Sequence, residues 1–113
     1  MTTLLNMHSK TDKLVKFKAK IFNALSDPTR LEILEFLRTS EKCVCEIIPH
    51  VGQIQPVVSR HLRILKECGL VRDRKDGNRR LYSITDRRMF EIIDAATPEM
   101  IGTLSKRIVE QLV

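Results

Sequence analysis

Beyond the middle of this chain the period of the apolar residues changes, and that change limits the folds open to it. Up to Cys68 the apolar positions recur at helical spacing, and from Leu70 they alternate instead. Val58, Leu62 and Leu65 line one side of the segment 55–68, Ser59, Arg63 and Lys66 line another, and Gly69 supplies a C-terminal stop. Directly afterwards Leu70-Val71-Arg72 and Arg80-Leu81-Tyr82-Ser83-Ile84 read as two short strands, joined by a polar turn containing Asp76-Gly77-Asn78. A helix that runs straight into a hairpin, in 113 residues, predicts one small domain rather than the two cores of a bidomain enzyme.

The rest of the chain reads as helix. Leu14, Phe17, Ile21 and Leu25 recur at i, i+3, i+7 and i+11, which predicts a first helix over 10–25. Asp27-Pro28 is an N-cap followed by proline at the first helical position, and Leu31, Leu34 and Leu37 give the second helix its apolar stripe. A short third helix is expected over 43–51, with Val44, Ile47 and Ile48 apolar, Pro49 disturbing its last turn and Gly52 ending it. Helical character resumes over 86–96 with Phe90, Ile92 and Ile93, and Thr97-Pro98 opens a final helix carrying Ile101, Leu104, Ile108 and Leu112. The first and last stripes exceed what a core of this size needs, so they cover either each other or a partner helix.

Charge narrows the partner. The net charge of +6 favours a polyanion, and eight basic against three acidic side chains fall between Ser59 and Arg80. No apolar stretch approaches the roughly 18 residues of a spanning helix, and the N-terminal residues lack a long apolar run with a cleavage site, so a cytoplasmic location without membrane contact is expected. Cys43, Cys45 and Cys68 are sparse and odd in number; they suggest free thiols or ligands, and no structural disulfide is expected. Catalytic patterns are missing: there is no Ser/His/Asp order, glycine-rich phosphate loop or HExxH, and an enzyme is not expected.

Two short helices joined by Gly52-Gln53-Ile54 form a helix-turn-helix candidate over 43–68, whose second helix is of a size that enters a major groove. The outward residues Gln55, Ser59, Arg60 and Arg63 offer an amide, a hydroxyl and guanidiniums that read base edges or hold phosphates. A charged face of this kind is also what an ordinary solvated helix presents. The adjoining basic hairpin over 70–84, with Arg74, Lys75, Arg79 and Arg80, favours double-stranded DNA over that bland reading. A winged-helix module that binds a protein instead of DNA is the alternative of a different class; partner association insensitive to salt would distinguish it.

Asp27-Pro28-Thr29-Arg30-Leu31, Cys43-Val44-Cys45-Glu46-Ile47, Ser59-Arg60-His61-Leu62 and Gly69-Leu70-Val71 occur in an order that resembles the ArsR/SmtB family of metal-responsive repressors. The resemblance covers about residues 22–86. It implies a mainly α winged helix-turn-helix with a β-hairpin wing, a homodimer built through the first and last helices (10–25 and 86–112), and recognition of an inverted-repeat operator. Within it Gln55, Ser59, Arg60, His61 and Arg63 correspond to the recognition helix, and Lys75, Asn78 and Arg79 to the wing. His61, between Arg60 and Leu62, has the alternative of hydrogen bonding within the fold.

Cys43 and Cys45 lie at i and i+2, which diverge on a regular helix but can converge at a fraying helix start. A helix N-terminus favours thiolates, and thiolates select soft metals or react with oxidants. The resemblance implies a Cys-Val-Cys site for arsenite or antimonite with a third cysteine three positions on, or for cadmium with cysteines of an N-terminal arm. This chain has Ile48 at the first place and no cysteine before Cys43. Three readings stay open: a two-thiolate metal site completed by His8, His50, Cys68 or an exogenous ligand; a redox switch, which a strained Cys-x-Cys bridge would route to another protomer or a small thiol; or a regulator without an effector. The interfacial zinc site of the family is not expected, because Arg88, Met89, Glu91 and Asp94 offer no imidazole.

Overall fold

A computed structural model describes residues 2–106, 110 and 111, with side chains from Lys10 onward. The first helix, α1 (Thr2–Ala24), starts earlier than its apolar period indicates and ends where expected. Its end is closed partly from a distance: the Arg30 guanidinium donates to the carbonyl oxygens of Ala24 (2.7 Å) and Asn23 (3.2 Å), the second of which also accepts from the Ser26 amide and hydroxyl. Asp27 caps α2 (Pro28–Leu37) as the sequence predicts, with its carboxylate accepting from the Arg30 amide at 3.0 Å.

A two-residue strand, β1 (Lys42–Cys43), comes next and precedes α3 (Val44–Val51) and α4 (Gln55–Glu67). Gly52 ends α3 at φ 67°, a left-handed conformation that suits glycine and turns the chain into α4. The hairpin strands β2 (Val71–Asp76) and β3 (Arg79–Ile84) are joined through Gly77 at φ 61°. They are longer than the apolar alternation suggests, because Asp73, Arg74 and Lys75 occupy ladder positions that hydropathy does not reveal. The antiparallel sheet runs β1-β3-β2. Two short helices follow: α5 (Met89–Ala95), starting later than the expected residue 86, and α6 (Pro98–Leu104), capped by Thr97. Ile108 and Leu112, assigned to the last stripe, lie outside the described residues.

One apolar core joins these elements. Ala24 of α1, Ile33, Leu34 and Leu37 of α2, Ile47 of α3, and Val58, Leu62 and Leu65 of α4 are buried against Val71, Tyr82, Ile84, Met89 and Phe90. Leu31, expected in the α2 stripe, is only half-buried, and Ile33 takes its place in the core. At the end of α2, Arg38 donates to Asp94 at 2.6 Å and lies over the Phe90 ring, fixing α5 to α2. None of the described helices is long and apolar enough to cross a membrane.

Candidate nucleic-acid interface and thiol site

The α3–turn–α4 unit presents α4 with its apolar side inward and Gln55, Ser59, Arg60 and Arg63 exposed. The spacing 55, 59, 63 keeps three of these on one line of the helix. At the start of α4 the N-cap Ile54 makes no side-chain cap and is 67% exposed.

His61 is a correction to the expected recognition set. Its side chain is 7% exposed and points into the protein, toward α2. Arg30 Nη1 lies 3.2 Å from His61 Nδ1, and because a guanidinium can only donate, Nδ1 is the acceptor and the ring carries its proton on Nε2. Asp27 Oδ2 stands 3.8 Å from the same nitrogen. Burial raises the Asp27 carboxyl, but the hydrogen bond from the Arg30 amide and the Arg30 charge outweigh it and hold the group below its ordinary value. Arg30 and Asp27, noted in the sequence for their motif alone, thus form a hub in which α1, α2 and α4 meet.

The hairpin is less cationic than its residue count implies. Arg74 makes a bidentate pair with Glu41 at 2.9 and 2.7 Å, Arg79 pairs with Asp76 at 3.2 Å, and Arg80 pairs with Asp73 at 2.7 Å. Lys66 of α4 reaches Asp73 too, at 2.9 Å. Hydrogen bonding from Arg74 lowers the Glu41 carboxyl, and hydrogen bonding from Lys66 and Arg80 lowers that of Asp73. Among the described residues Arg60, Arg63, Arg72 and Lys75 make no ion pair, so unneutralised charge remains on the outer face of α4 and on the hairpin, where Asn78 is also exposed, as it does on the lysines of α1.

The thiol pair departs from expectation in one respect. Cys43 and Cys45 are joined as a disulfide, with Cα atoms 5.1 Å apart, where no intrachain bridge was expected. The cause is local. Cys43 is not in the helix but is its extended N-cap, so its sulfur folds back over the first turn and accepts from the Cys45 amide at 3.1 Å, while Glu46 accepts from the Cys43 amide at 3.3 Å. Cys43 is buried and Cys45 exposed.

The other donors considered do not assemble there. His50, in the last turn of α3, stacks on Phe36 with ring centroids 3.8 Å apart, and the Cys68 thiol is held against the Lys20 carbonyl at 3.7 Å. The side chain of His8 lies outside the described residues, and among the described residues no three His, Cys, Asp or Glu side chains group to hold a metal. Among the described residues the donor set is therefore two sulfurs, which fits a soft metal or metalloid when reduced and leaves at least one position for another ligand.

The model of the bacterial regulatory protein ArsR family matches residues 27–73, from the α2 cap to the middle of β2. An uncharacterized HTH-type transcriptional regulator of Methanocaldococcus jannaschii is 49% identical over 76 residues, covering 66% of this chain and 85% of that protein. The chain belongs to the ArsR family. A probable mercury resistance operon repressor of Streptomyces lividans is 43% identical over 75 residues, 66% of this chain and 60% of the relative, so the chain spans less than two thirds of that protein. Among solved structures, a homodimeric winged helix-turn-helix DNA-binding domain of Mycobacterium bovis, a possible ArsR-family regulator, is similar with a TM-score of 0.75 and 29% identity over 83% of this chain and 90% of that one. The present ArsR-family protein is thus a winged helix-turn-helix transcriptional regulator and not an enzyme.

Proposed function

We propose that this regulator is a repressor that binds double-stranded DNA as a homodimer, with α4 of each protomer in a major groove and the β2–β3 wing beside it, over one half of an inverted repeat. The observation that carries the reading is the set of cations left free on both elements: Arg60 and Arg63 on α4 and Arg72 and Lys75 on the hairpin make no ion pair and Arg79 is held only by the half-exposed Asp76, whereas Arg74, Arg80 and Lys66 are taken up by Glu41 and Asp73. Gln55, Ser59, Arg60 and Arg63 are assigned to the groove, and Lys75, Asn78 and Arg79 to the wing contact. His61 is assigned to neither.

Arg60→Ala with Arg63→Ala is the direct test. Anisotropy with a duplex from upstream of its own gene should show a loss of about 10- to 100-fold and a salt slope shallower by about 2 to 4, one unit for each phosphate contact removed across the two protomers. An unchanged affinity and slope would place the interface elsewhere.

The second copy is supported by what α1, α5 and α6 leave uncovered. Leu14, Val15, Phe17 and Phe22 of α1 and Ile92, Met100, Ile101 and Leu104 of the C-terminal helices are exposed, and a groove of about 410 Å³ between them is lined by Phe22, Leu31, Ile92 and Ile101. The radius of gyration is 17.5 Å, against about 13 Å for a compact chain of this length. A partner copy of the same helices would cover both stripes with like chemistry.

Cys43 and Cys45 are assigned to the effector. In the reduced state the pair suits As(III), Sb(III), Cd(II) or a similar soft ion, as the similarity to a mercury resistance repressor also suggests; oxidation closes it. The site has a short route to DNA, because β1 belongs to the wing sheet: Cys43 is paired with Leu81 and Lys42 with Tyr82, and Glu41 grips Arg74. Any agent that re-forms the first turn of α3 must move β1 against β3. It weakens DNA binding to the extent that it binds the DNA-free form better.

Titrating arsenite, antimonite, cadmium, zinc and a thiol oxidant against the reduced protein on DNA should lower affinity about 5- to 150-fold with at least one of them. Cys43→Ser with Cys45→Ser should bind DNA like the wild type and not respond. If the double variant responds in full, the effector acts elsewhere.

A further inference from the structure

Asp73 stands where the recognition helix and the wing meet. Only 8% of its side chain is exposed, yet its two oxygens each take a cation from a different element: Oδ1 accepts from Lys66 Nζ in the last turn of α4 at 2.9 Å, and Oδ2 accepts from Arg80 Nη1 on β3 at 2.7 Å. Its neighbour across the ladder is Tyr82, itself part of the core. Among the described residues no other ion pair joins α4 to the hairpin. Both cations remain half exposed.

Such a group acts on binding in two ways. An enclosed carboxylate that accepts charged hydrogen bonds from both sides fixes distance and angle between the two elements far better than a solvent-exposed pair. It also withholds two cations from any polyanion that approaches, since a phosphate must compete with a nearer, less hydrated anion. Its proton is held more weakly than in an unfolded chain, so this link persists throughout the neutral range.

We propose that Asp73 is a positioning and specificity-determining residue: it sets the angle of the wing to the recognition helix, and by holding Lys66 and Arg80 it keeps the regulator from binding duplex DNA irrespective of sequence. This rests on the DNA-binding reading above. It makes an unusual demand, which is that removing a buried charge should strengthen one kind of binding while weakening another.

The test compares Asp73→Asn, Asp73→Glu and Lys66→Gln with the wild type, using a duplex from upstream of the protein's own gene and a shuffled duplex of equal length, across a potassium chloride series. Asp73→Asn keeps the size of the side chain and frees two cations. Its affinity for the shuffled duplex should rise severalfold, its salt slope should steepen by about 2 to 4 across the two protomers, and the ratio of specific to shuffled affinity should fall about tenfold. Asp73→Glu keeps the charge and should recover most of that ratio. Lys66→Gln opens the α4 arm without adding a cation, so the ratio should fall with no steepening.

A general structural defect would instead weaken both duplexes together with an unchanged or shallower slope, and that result overturns the proposal. If Asp73→Asn does not fold, Lys66→Gln decides alone, and an unchanged ratio refutes the positioning role. A wild type that discriminates between the duplexes while both variants discriminate equally refutes only this inference. A wild type without affinity for either duplex at low ionic strength refutes the DNA reading and this inference with it.

Discussion

Phe22→Glu should turn the protein into a monomer and lower its affinity for an inverted-repeat operator about 100-fold or more. Phe22 is 56% exposed on α1 and lines the apolar groove with Leu31, Ile92 and Ile101. In the isolated protomer a carboxylate there meets water and costs little, because the side chain is not part of the buried core. Against a second copy it would be stripped of water without a partner, which costs several kcal/mol. DNA binding would then lose the advantage of two linked half-sites, worth about 10² to 10⁴ in affinity. Sedimentation velocity should show the change in mass, circular dichroism should show an intact helix content, and anisotropy should show the loss on a full operator with little change on a single half-site. A variant that remains dimeric with full affinity would remove this face from the interface.

Arg30→Ala should destabilise the fold by about 2–4 kcal/mol, a large share of what a domain of this size possesses. Three interactions go at once: the bonds to the Ala24 and Asn23 carbonyls that close α1, and the bond to His61 Nδ1. The last leaves a buried ring acceptor facing a carboxylate at 3.8 Å, an arrangement that water cannot easily repair. Because α1 also carries the proposed dimer face, its end would fray and the loss should grow as protein is diluted. Thermal unfolding should fall by roughly 8–20 °C or more. Lys at this position keeps one charge but not the fork, so Arg30→Lys should recover less than half of the loss. A melting temperature within a few degrees of the wild type would show that the hub does not hold the three helices.

Legibility in the sequence follows the range of the interaction. The α2 cap at Asp27, the cap at Thr97, the turn at Gly52, the inward set Val58, Leu62 and Leu65, and the hairpin around Gly77 are each settled within a few residues, and each is where the periodicity and the turn residues place it. The two-residue β1 leaves no period to read and exists because β3 offers it a ladder. The convergence of Cys43 and Cys45 was foreseeable at a helix start, but the bridge depended on Cys43 being the extended N-cap and not the first helical residue.

What the order of residues determined by itself is the family, the helix-turn-helix with its hairpin, and the outward line of Gln55, Ser59 and Arg63, since all of these arise from local spacing. The tertiary structure alone decided which charges remain available. Arg74 meets Glu41 across 33 residues and His61 meets Arg30 across 31, and pairings that distant depend on where packed elements bring two side chains, which no pattern along one element records.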